Sequence, residues 1–308
     1  MQPQLLPQGS HLLLAVSGGQ DSMAMLALLQ DLAPLHSWSL SFWHGDHRWH
    51  DGSSQIAAEL GAWCQQRQLR LQVDQAAPGQ VPSEAKARQW RYERLQQRGL
   101  EAGADVVTGH TASDRAETML LQLARGSDLA GLAALPSIRP ISPEGPQLRR
   151  PMLHLQRQDT LQICRDLSLP VWEDPSNQSP AFARNRIRRE VLPVLEELHP
   201  GCSQRISGLA ERVSQVRDSQ TELGRMALEG LQTPTGLERR RLGALSPVTR
   251  RLLLADWLQQ QGVPPLHADQ LEQLSQRLRE GAPGGAADLA GGWQLSWKGE
   301  ELVLKKEN

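Results

Sequence analysis

With 308 residues, 39% of them hydrophobic and 22% charged, the chain has the size and composition of a two-domain globular protein, not of a disordered or fibrous one. A net charge of −1 gives no bulk attraction to nucleic acid, and the clean apolar run at 12–16 is too short to cross a bilayer or to lead a secretion signal, so a cytoplasmic protein without membrane association is expected. Cys64, Cys164 and Cys202 stand apart, which excludes a C-x-x-C redox centre, a zinc knuckle or an iron–sulfur ligand set and leaves buried structural thiols.

Residues 12–16 form an apolar run of strand length and 23–35 an apolar-rich stretch of helix length, so the chain opens as strand, glycine turn, helix. A second strand is expected over 39–43, a second helix over 54–68 and a third strand over 69–73. Ser83 is placed to cap a helix running to about 98, followed by a strand over 105–108 and a helix over 114–125. This alternation predicts an α/β domain, a parallel sheet with helices on both faces. Residues 136–151, rich in proline, read as an exposed loop leading into Arg149-Arg150-Pro151, and a helix over 157–167 with the segment 171–193 completes the domain. From about 203 helical stretches alternate with Pro and Gly, and the pattern about Lys298-Gly299 predicts a hairpin within 291–304. The expected division is 1–202 and a smaller, mainly helical 203–308 that ends in a hairpin.

Ser17-Gly18-Gly19-Gln20-Asp21-Ser22 falls between the first strand and the first helix, where backbone N–H groups and the positive helix end can cradle an anion. The loop is short and has no lysine, which argues against the G-x-x-x-x-G-K-S/T form and γ-phosphate transfer. A tight turn with Ser17 as N-cap would use the same residues without function. The hexapeptide resembles the S-G-G-x-D-S loop of the N-type ATP-pyrophosphatases, the PP-loop superfamily with its Rossmann-like fold. The resemblance implies that ATP is a substrate whose AMP is transferred and that Ser17, Gly18, Gly19 and Ser22 hold the leaving pyrophosphate. It places Gln20 in the same ATP-binding loop and makes Asp21 the carboxylate linked to Mg2+.

Further segments resemble the tRNA(Ile)-lysidine synthetase subgroup. The second strand runs into His44-Gly45-Asp46-His47-Arg48, similar to an H-x-D-H-x-x-R stretch with the arginine shifted earlier. His44 is expected to shape the adenosine pocket, the alternative being a metal site of His44, Asp46, His47 and His50. Gly109-His110-Thr111 through Asp114-Arg115-Ala116-Glu117-Thr118, with Arg125-Gly126 to Gly131-Leu132 behind it, resembles G-H-H-x-x-D-x-x-E-T followed by R-G-x-x-x-x-G-L; Thr111 replaces the second histidine, and His110 joins the ATP-binding set. Ala87-Arg88-Gln89-Trp90-Arg91-Tyr92 resembles A-R-x-x-R-Y, which brings Arg88 or Arg91 to the reacting groups. Glu173-Asp174-Pro175-Ser176-Asn177 with Arg184-Asn185-Arg186-Ile187-Arg188 resembles E-D-P-S-N then R-N-x-x-R.

Asp114 and Glu117 share one side of a helical turn, as a cap at Asp114 with Glu117 at N3, or as catalytic carboxylates that bind the amines of free lysine or act as base. Arg184, Asn185, Arg186 and Arg188 concentrate contacts fit for tRNA or ATP phosphates, and Arg239-Arg240-Arg241 with Arg250-Arg251 are candidate tRNA contacts in the second domain. The resemblance implies a carbon–nitrogen ligase of tRNA modification: free L-lysine joined to the wobble cytidine of a CAU isoleucine tRNA through an adenylated cytidine. It also implies ATP and Mg2+ as requirements and a short form lacking a further C-terminal domain; the oligomeric state, a homodimer included, is left open. A thiolase of the same fold would need paired cysteines, and a binding module without turnover is distinguished only by activity.

Overall fold

Leu12, Leu13 and Leu14 are wholly buried in β1 (His11–Ala15), as the middle strand of a parallel sheet covered on both faces requires. The computed structural model describes residues 5–48, 52–77, 79–81, 83–172 and 182–306. After β1 come α1 (Gln20–His36), β2 (Ser39–Asp46), α2 (Gly52–Gln66), β3 (Leu71–Gln75), α3 (Glu84–Ala102), β4 (Asp105–Thr108), α4 (Ala112–Ala124) and α5 (Leu129–Leu132). Then follow β5 (Ile138–Pro140), β6 (Gln147–Arg149), α6 (Arg157–Asp166), α7 (Ala183–Arg186), a π-helical turn over Ile187–Val191 and α8 (Leu192–Leu198). The strands lie in the order β3-β2-β1-β4-β6-β5, all parallel except the β5–β6 pair.

Alternate β1 side chains serve opposite faces, as the strand period of two demands. Leu12 and Leu14 pack with Met23 and Leu26 of α1, while Leu13 packs with Leu95 and Tyr92 of α3. The Ser83 hydroxyl caps α3 by accepting from the Lys86 N–H at 3.3 Å, as the sequence predicts. The expected loop at 136–151 is instead the β5–β6 hairpin. Ladder pairing Leu148↔Arg139 and burial of Arg150 to 1% exposure put this segment in the sheet despite its prolines.

The chain divides into two units at 215/216, not at 202. The boundary falls within α9 (Cys202–Glu229), because its first turns belong to the first core: Ile206 and Ala210 pack with Met119, and Ser207 donates to the Leu153 carbonyl. The second unit holds β7 (Gly236–Glu238), α10 (Arg239–Ala244), α11 (Pro247–Gln260), α12 (Ala268–Arg277), β8 (Gly285–Leu289), β9 (Trp293–Lys298) and β10 (Glu301–Lys306). The expected hairpin is β9–β10, paired Glu301↔Lys298. It is widened by β7 and β8 into a four-stranded antiparallel sheet, β7-β10-β9-β8, over a core of Leu253, Leu254, Trp257, Leu295 and Trp297.

Candidate active site

The chain leaves β1 to one side for β2 and returns to the other side for β4, and such a reversal opens a crevice at the carboxyl ends of the strands. A cavity of about 380 Å³ lies there. Its walls include the residues after β1 (Ser17 to Ser22, except Gly18), the end of β2 (His44 to His47) and Gly109 and His110 after β4. Arg88, Arg91, Asp114, Trp172, Arg184, Asn185 and Arg188 complete much of the remainder.

α1 begins with Gly19, not Ser17, at the N-cap. Ser17 and Ser22 tie the loop across its base. The Ser17 N–H and hydroxyl each donate to Ser22 Oγ at 3.1 Å, and Ser22 donates to the Gly19 carbonyl at 2.9 Å. Gly18 has φ 86°, a left-handed conformation natural only to glycine, and the Trp172 ring packs on it while the Trp172 N–H donates to its carbonyl at 3.0 Å. The remaining N–H groups at the amino end of α1 are thereby presented together, the arrangement that binds phosphate.

Asp21 Oδ1 accepts from Thr160 Oγ1 at 2.5 Å and from Gln20 Nε2 at 3.5 Å, whereas Oδ2 accepts nothing from a described residue. Burial, reinforced by the negative charge of Asp114, pushes the Asp21 carboxyl above its ordinary value. A half-buried carboxylate with one oxygen unused is the kind of oxygen donor a hard cation such as Mg2+ takes, so Asp21 fits such an ion.

His44 donates Nδ1–H to the Val16 carbonyl at 2.8 Å, and burial holds its ring neutral by lowering its pKa. Asp46 is committed to nearby protein donors, accepting from the Arg48 backbone N–H at 3.0 Å and from the Ser54 hydroxyl at 2.9 Å. Among the described residues no group of three or more His, Cys, Asp or Glu is placed to hold a metal ion, and His50 of the alternative metal set lies outside them. His110 shares a 2.9 Å hydrogen bond with Thr108 Oγ1, and burial pushes its pKa down to about 3.

Asp114 is not the cap of α4. Thr111 is, with Asp114 at N3 accepting from the Thr111 N–H at 2.8 Å and its hydroxyl at 3.0 Å in a capping box. Asp114 and Glu117, expected to face free lysine, are occupied by arginines. Arg184 donates to Asp114 Oδ1 at 2.8 Å and Glu117 Oε2 at 2.7 Å; Arg188 donates to Glu117 Oε1 at 2.5 Å and Oε2 at 2.9 Å. Glu117 is 0% exposed and lies behind the cavity wall; Asp114 lines it. Although burial alone would raise the Asp114 carboxyl, the guanidinium of Arg184 leads the charges that hold it down to about 2.

The expected phosphate cluster therefore separates into different jobs. Arg184 and Arg188 point inward to carboxylates, Asn185 is buried on the cavity wall, and Arg186 lies outside with Glu190 at 2.9 Å. The upstream 173–177 turn lies outside the described residues. Arg88 and Arg91 both line the cavity. In the second unit Arg250 is buried, donating to Ser275 Oγ at 3.1 Å and the Gly243 carbonyl at 2.5 Å. Arg239 is turned onto the Ala282 and Pro283 carbonyls, Arg251 pairs with Glu272 and Arg241 donates to the Gly230 carbonyl. Arg240 is exposed and makes no hydrogen bond or ion pair with a described residue.

Thr160 and Trp172 were absent from the sequence-derived site. Neither belongs to a recognisable motif, and both reach the phosphate loop only because α6 packs on α1 and the chain after it returns past Gly18. All three cysteines are buried and unbridged, as expected.

Residues 2–195 match the PP-loop domain family, and 237–304 match the TilS substrate binding domain. A tRNA(Ile)-lysidine synthase of Parasynechococcus marenigrum is 67% identical, the match covering 98% of this chain and 91% of the relative. A tRNA(Ile)-lysidine synthase of Prochlorococcus marinus is 43% identical over 97% of this chain and 91% of its own length. The solved U34-tRNA thiolase NcsA of Methanococcus maripaludis shares the fold at TM-score 0.58 and 17% identity, over 68% of this chain and 73% of that one. With its phosphate loop, both family domains and these full-length relatives, the chain belongs to the tRNA(Ile)-lysidine synthase family.

Proposed function

We propose that this chain uses ATP to join free lysine to the wobble cytidine of an isoleucine tRNA with a CAU anticodon. The observation that carries the reading is the Ser17–Ser22 loop, whose Asp21 has an unused carboxylate oxygen, opening on a nucleotide-sized cavity at the strand reversal. In the first step the cytidine ring carbonyl oxygen attacks the α-phosphorus and the bond to pyrophosphate breaks. In the second, the lysine ε-amine adds to the activated ring carbon, a proton is lost and AMP leaves.

The loop N–H groups and the positive end of α1 bind the pyrophosphate and stabilise the charge that grows on it. A Mg2+ held by Asp21 would neutralise phosphate charge when bound. His44 and His110, both kept neutral by burial, line the cavity without adding charge that would compete with the loop for the phosphates. Asp114, held ionised and spent on Arg184, Arg188 and the Thr111 cap, is not placed to act as a base, and with Glu117 it fixes the two arginines at the cavity wall. Catalysis is thus mainly positioning and charge stabilisation. Such a reaction belongs in the cytoplasm with its tRNA, and among the described residues no helix is long and apolar enough to cross a membrane.

The test is incubation with ATP, Mg2+, radiolabelled lysine and isoleucine tRNA transcript, beside a methionine tRNA with the same anticodon. Label on the isoleucine tRNA alone, lost with Asp21→Ala, is expected. No label from a folded, ATP-binding protein would overturn the assignment.

A further inference from the structure

Tyr92 is the single tyrosine of the chain, and three arginines converge on it. The Arg88 guanidinium carbon lies 5.0 Å from the centre of its ring, and that of Arg139, on β5, also lies 5.0 Å from it. Arg150, buried just past β6, bears on the same phenol. None of the three is paired with a carboxylate of a described residue. Arg139 donates to the Pro140 carbonyl, and Arg150 donates Nη1 to the Pro136 carbonyl while its buried Nε has no partner. Arg184 and Arg188 on the cavity wall are, in contrast, neutralised by Asp114 and Glu117. An arginine cluster without acid is an electrostatic invitation to an anion, and the planar guanidinium fork favours phosphate.

The cluster is built on the other face of the sheet from the phosphate loop, at the far side of the same cavity. Tyr92 packs with Leu13 on one face of the sheet, whereas α1, whose amino end forms the loop site, packs with Leu12 and Leu14 on the other. Arg88 and Tyr92 line the cavity that the phosphate loop also lines, and Arg139 stands beyond its lining. An anion bridging Arg88 and Arg139 therefore belongs to a ligand that continues out of the cavity toward the β5 edge of the sheet. A nucleic-acid strand with one base in the cavity has this shape, since a charged phosphate flanks every nucleotide. An ATP whose phosphates are seated at the amino end of α1 does not.

Resting on the reading above that the substrate is a tRNA, we propose that Arg88, Tyr92 and Arg139 bind a backbone phosphate adjacent to the nucleotide being modified. Arg88 anchors the cavity side, Arg139 the outer side, and the Tyr92 ring holds both guanidiniums in place. Because the contact is to backbone, it positions the RNA and reads no sequence.

Arg139 is the residue to test, since it lies outside the cavity. Full-length wild type, Arg139→Ala and Arg139→Lys would be titrated with isoleucine tRNA transcript by fluorescence anisotropy over about 50 to about 200 mM salt, and KM for tRNA and for ATP measured alongside. Arg139→Ala is expected to weaken tRNA binding about tenfold and to lower the slope of log affinity against log salt by about 1, with ATP KM and the rate at saturating tRNA unchanged. Arg139→Lys, which keeps a charge, recovers the slope. If wild type binds tRNA and Arg139→Ala matches it in slope and tRNA KM, the phosphate site is overturned while the lysidine reading stands. If Arg139→Ala weakens ATP binding as much as tRNA binding, or Arg139→Lys recovers no slope, the site is also overturned. If wild type binds no tRNA, both fall.

Discussion

Thr160 donates its hydroxyl to Asp21 Oδ1 at 2.5 Å, joining two residues 139 positions apart. The same hydroxyl accepts from Gln20 Nε2 at 3.0 Å, and Thr160 is 0% exposed, so the bond sets the Asp21 rotamer from inside the fold. Asp21 Oδ2 is thereby left without a donor among the described residues.

Thr160→Val keeps the shape and removes the bond. A hydrogen bond to a charged group is worth about 1.5–3 kcal/mol, so a loss of about tenfold or more in ATP affinity is expected in Mg2+, with little change in EDTA. Thr160→Ser should restore it. Isothermal titration with and without the metal checks this; equal losses in both conditions would mean that Thr160 supports the loop alone.

Asp21 is a strained acid in the nucleotide-free protein. Its folded pKa lies above the ordinary 3.8, chiefly through burial, so the folded state holds the proton more tightly than the unfolded chain. Stability from this group therefore falls as pH rises from the unfolded value through the folded one. At neutral pH, Asp21→Asn should raise the melting temperature by about 2–4 °C for each kcal/mol relieved while abolishing lysine transfer. Scanning calorimetry should show the gain shrinking toward pH values below the unfolded pKa. A lowered melting temperature at neutral pH would contradict the account.

Glu117 is sealed between two guanidiniums. Glu117→Ala leaves Arg184 and Arg188 short of their carboxylate partner, a loss expected to cost about 3–5 kcal/mol in urea unfolding. Arg186→Ala, which breaks an exposed pair with Glu190, should cost less than about 1 kcal/mol. Asp114 has its folded pKa lowered to about 2, so the stability it supplies is present above the unfolded value of 3.8 and is lost as pH falls through about 2.

Gly109 lets the end of β4 approach the first turn of α1. A Cβ there would sit 2.9 Å from the Asp21 backbone oxygen, a contact that no rotamer change relieves. Gly109→Ala should separate the two chain segments and weaken ATP binding by about tenfold or more, a change of about 1.4 kcal/mol or above, with circular dichroism little altered. Wild-type affinity in this variant would show that the approach has no bearing on the nucleotide.

The arginines of the second unit divide by burial. Arg250→Ala removes the donor to Ser275 and to the Gly243 carbonyl from a side chain 4% exposed, and a loss of about 2–4 kcal/mol is expected. Arg240→Ala, exposed and without a described partner, should leave the melting temperature unchanged and lower only the salt-dependent tRNA affinity. Equal melting temperatures for both variants would refute the division.

Local order in the chain was enough for the strand, glycine loop and helix at 11–36, for the cap at Ser83 and for the β9–β10 hairpin, because apolar period, capping and turn chemistry act between neighbours. It was not enough for β5 and β6, which are three residues long, carry proline and become strands only by pairing with each other and with β4. The residue types of the site were legible for the same local reason, since the Ser17–Ser22 loop is a single turn of chain. Partnership was not. In sequence, Asp114 and Glu117 were open acids and Arg184 and Arg188 open bases; only the packing that brings α7 and the π-helical turn against α4 made them each other's counterions. Thr160 likewise acquired its place beside Asp21 through α6 resting on α1. Sequence alone determined which chemistry the chain carries, while the tertiary structure decided which charged groups are spent on one another and which remain for a ligand, because pairing depends on distances between segments that the order of residues does not contain.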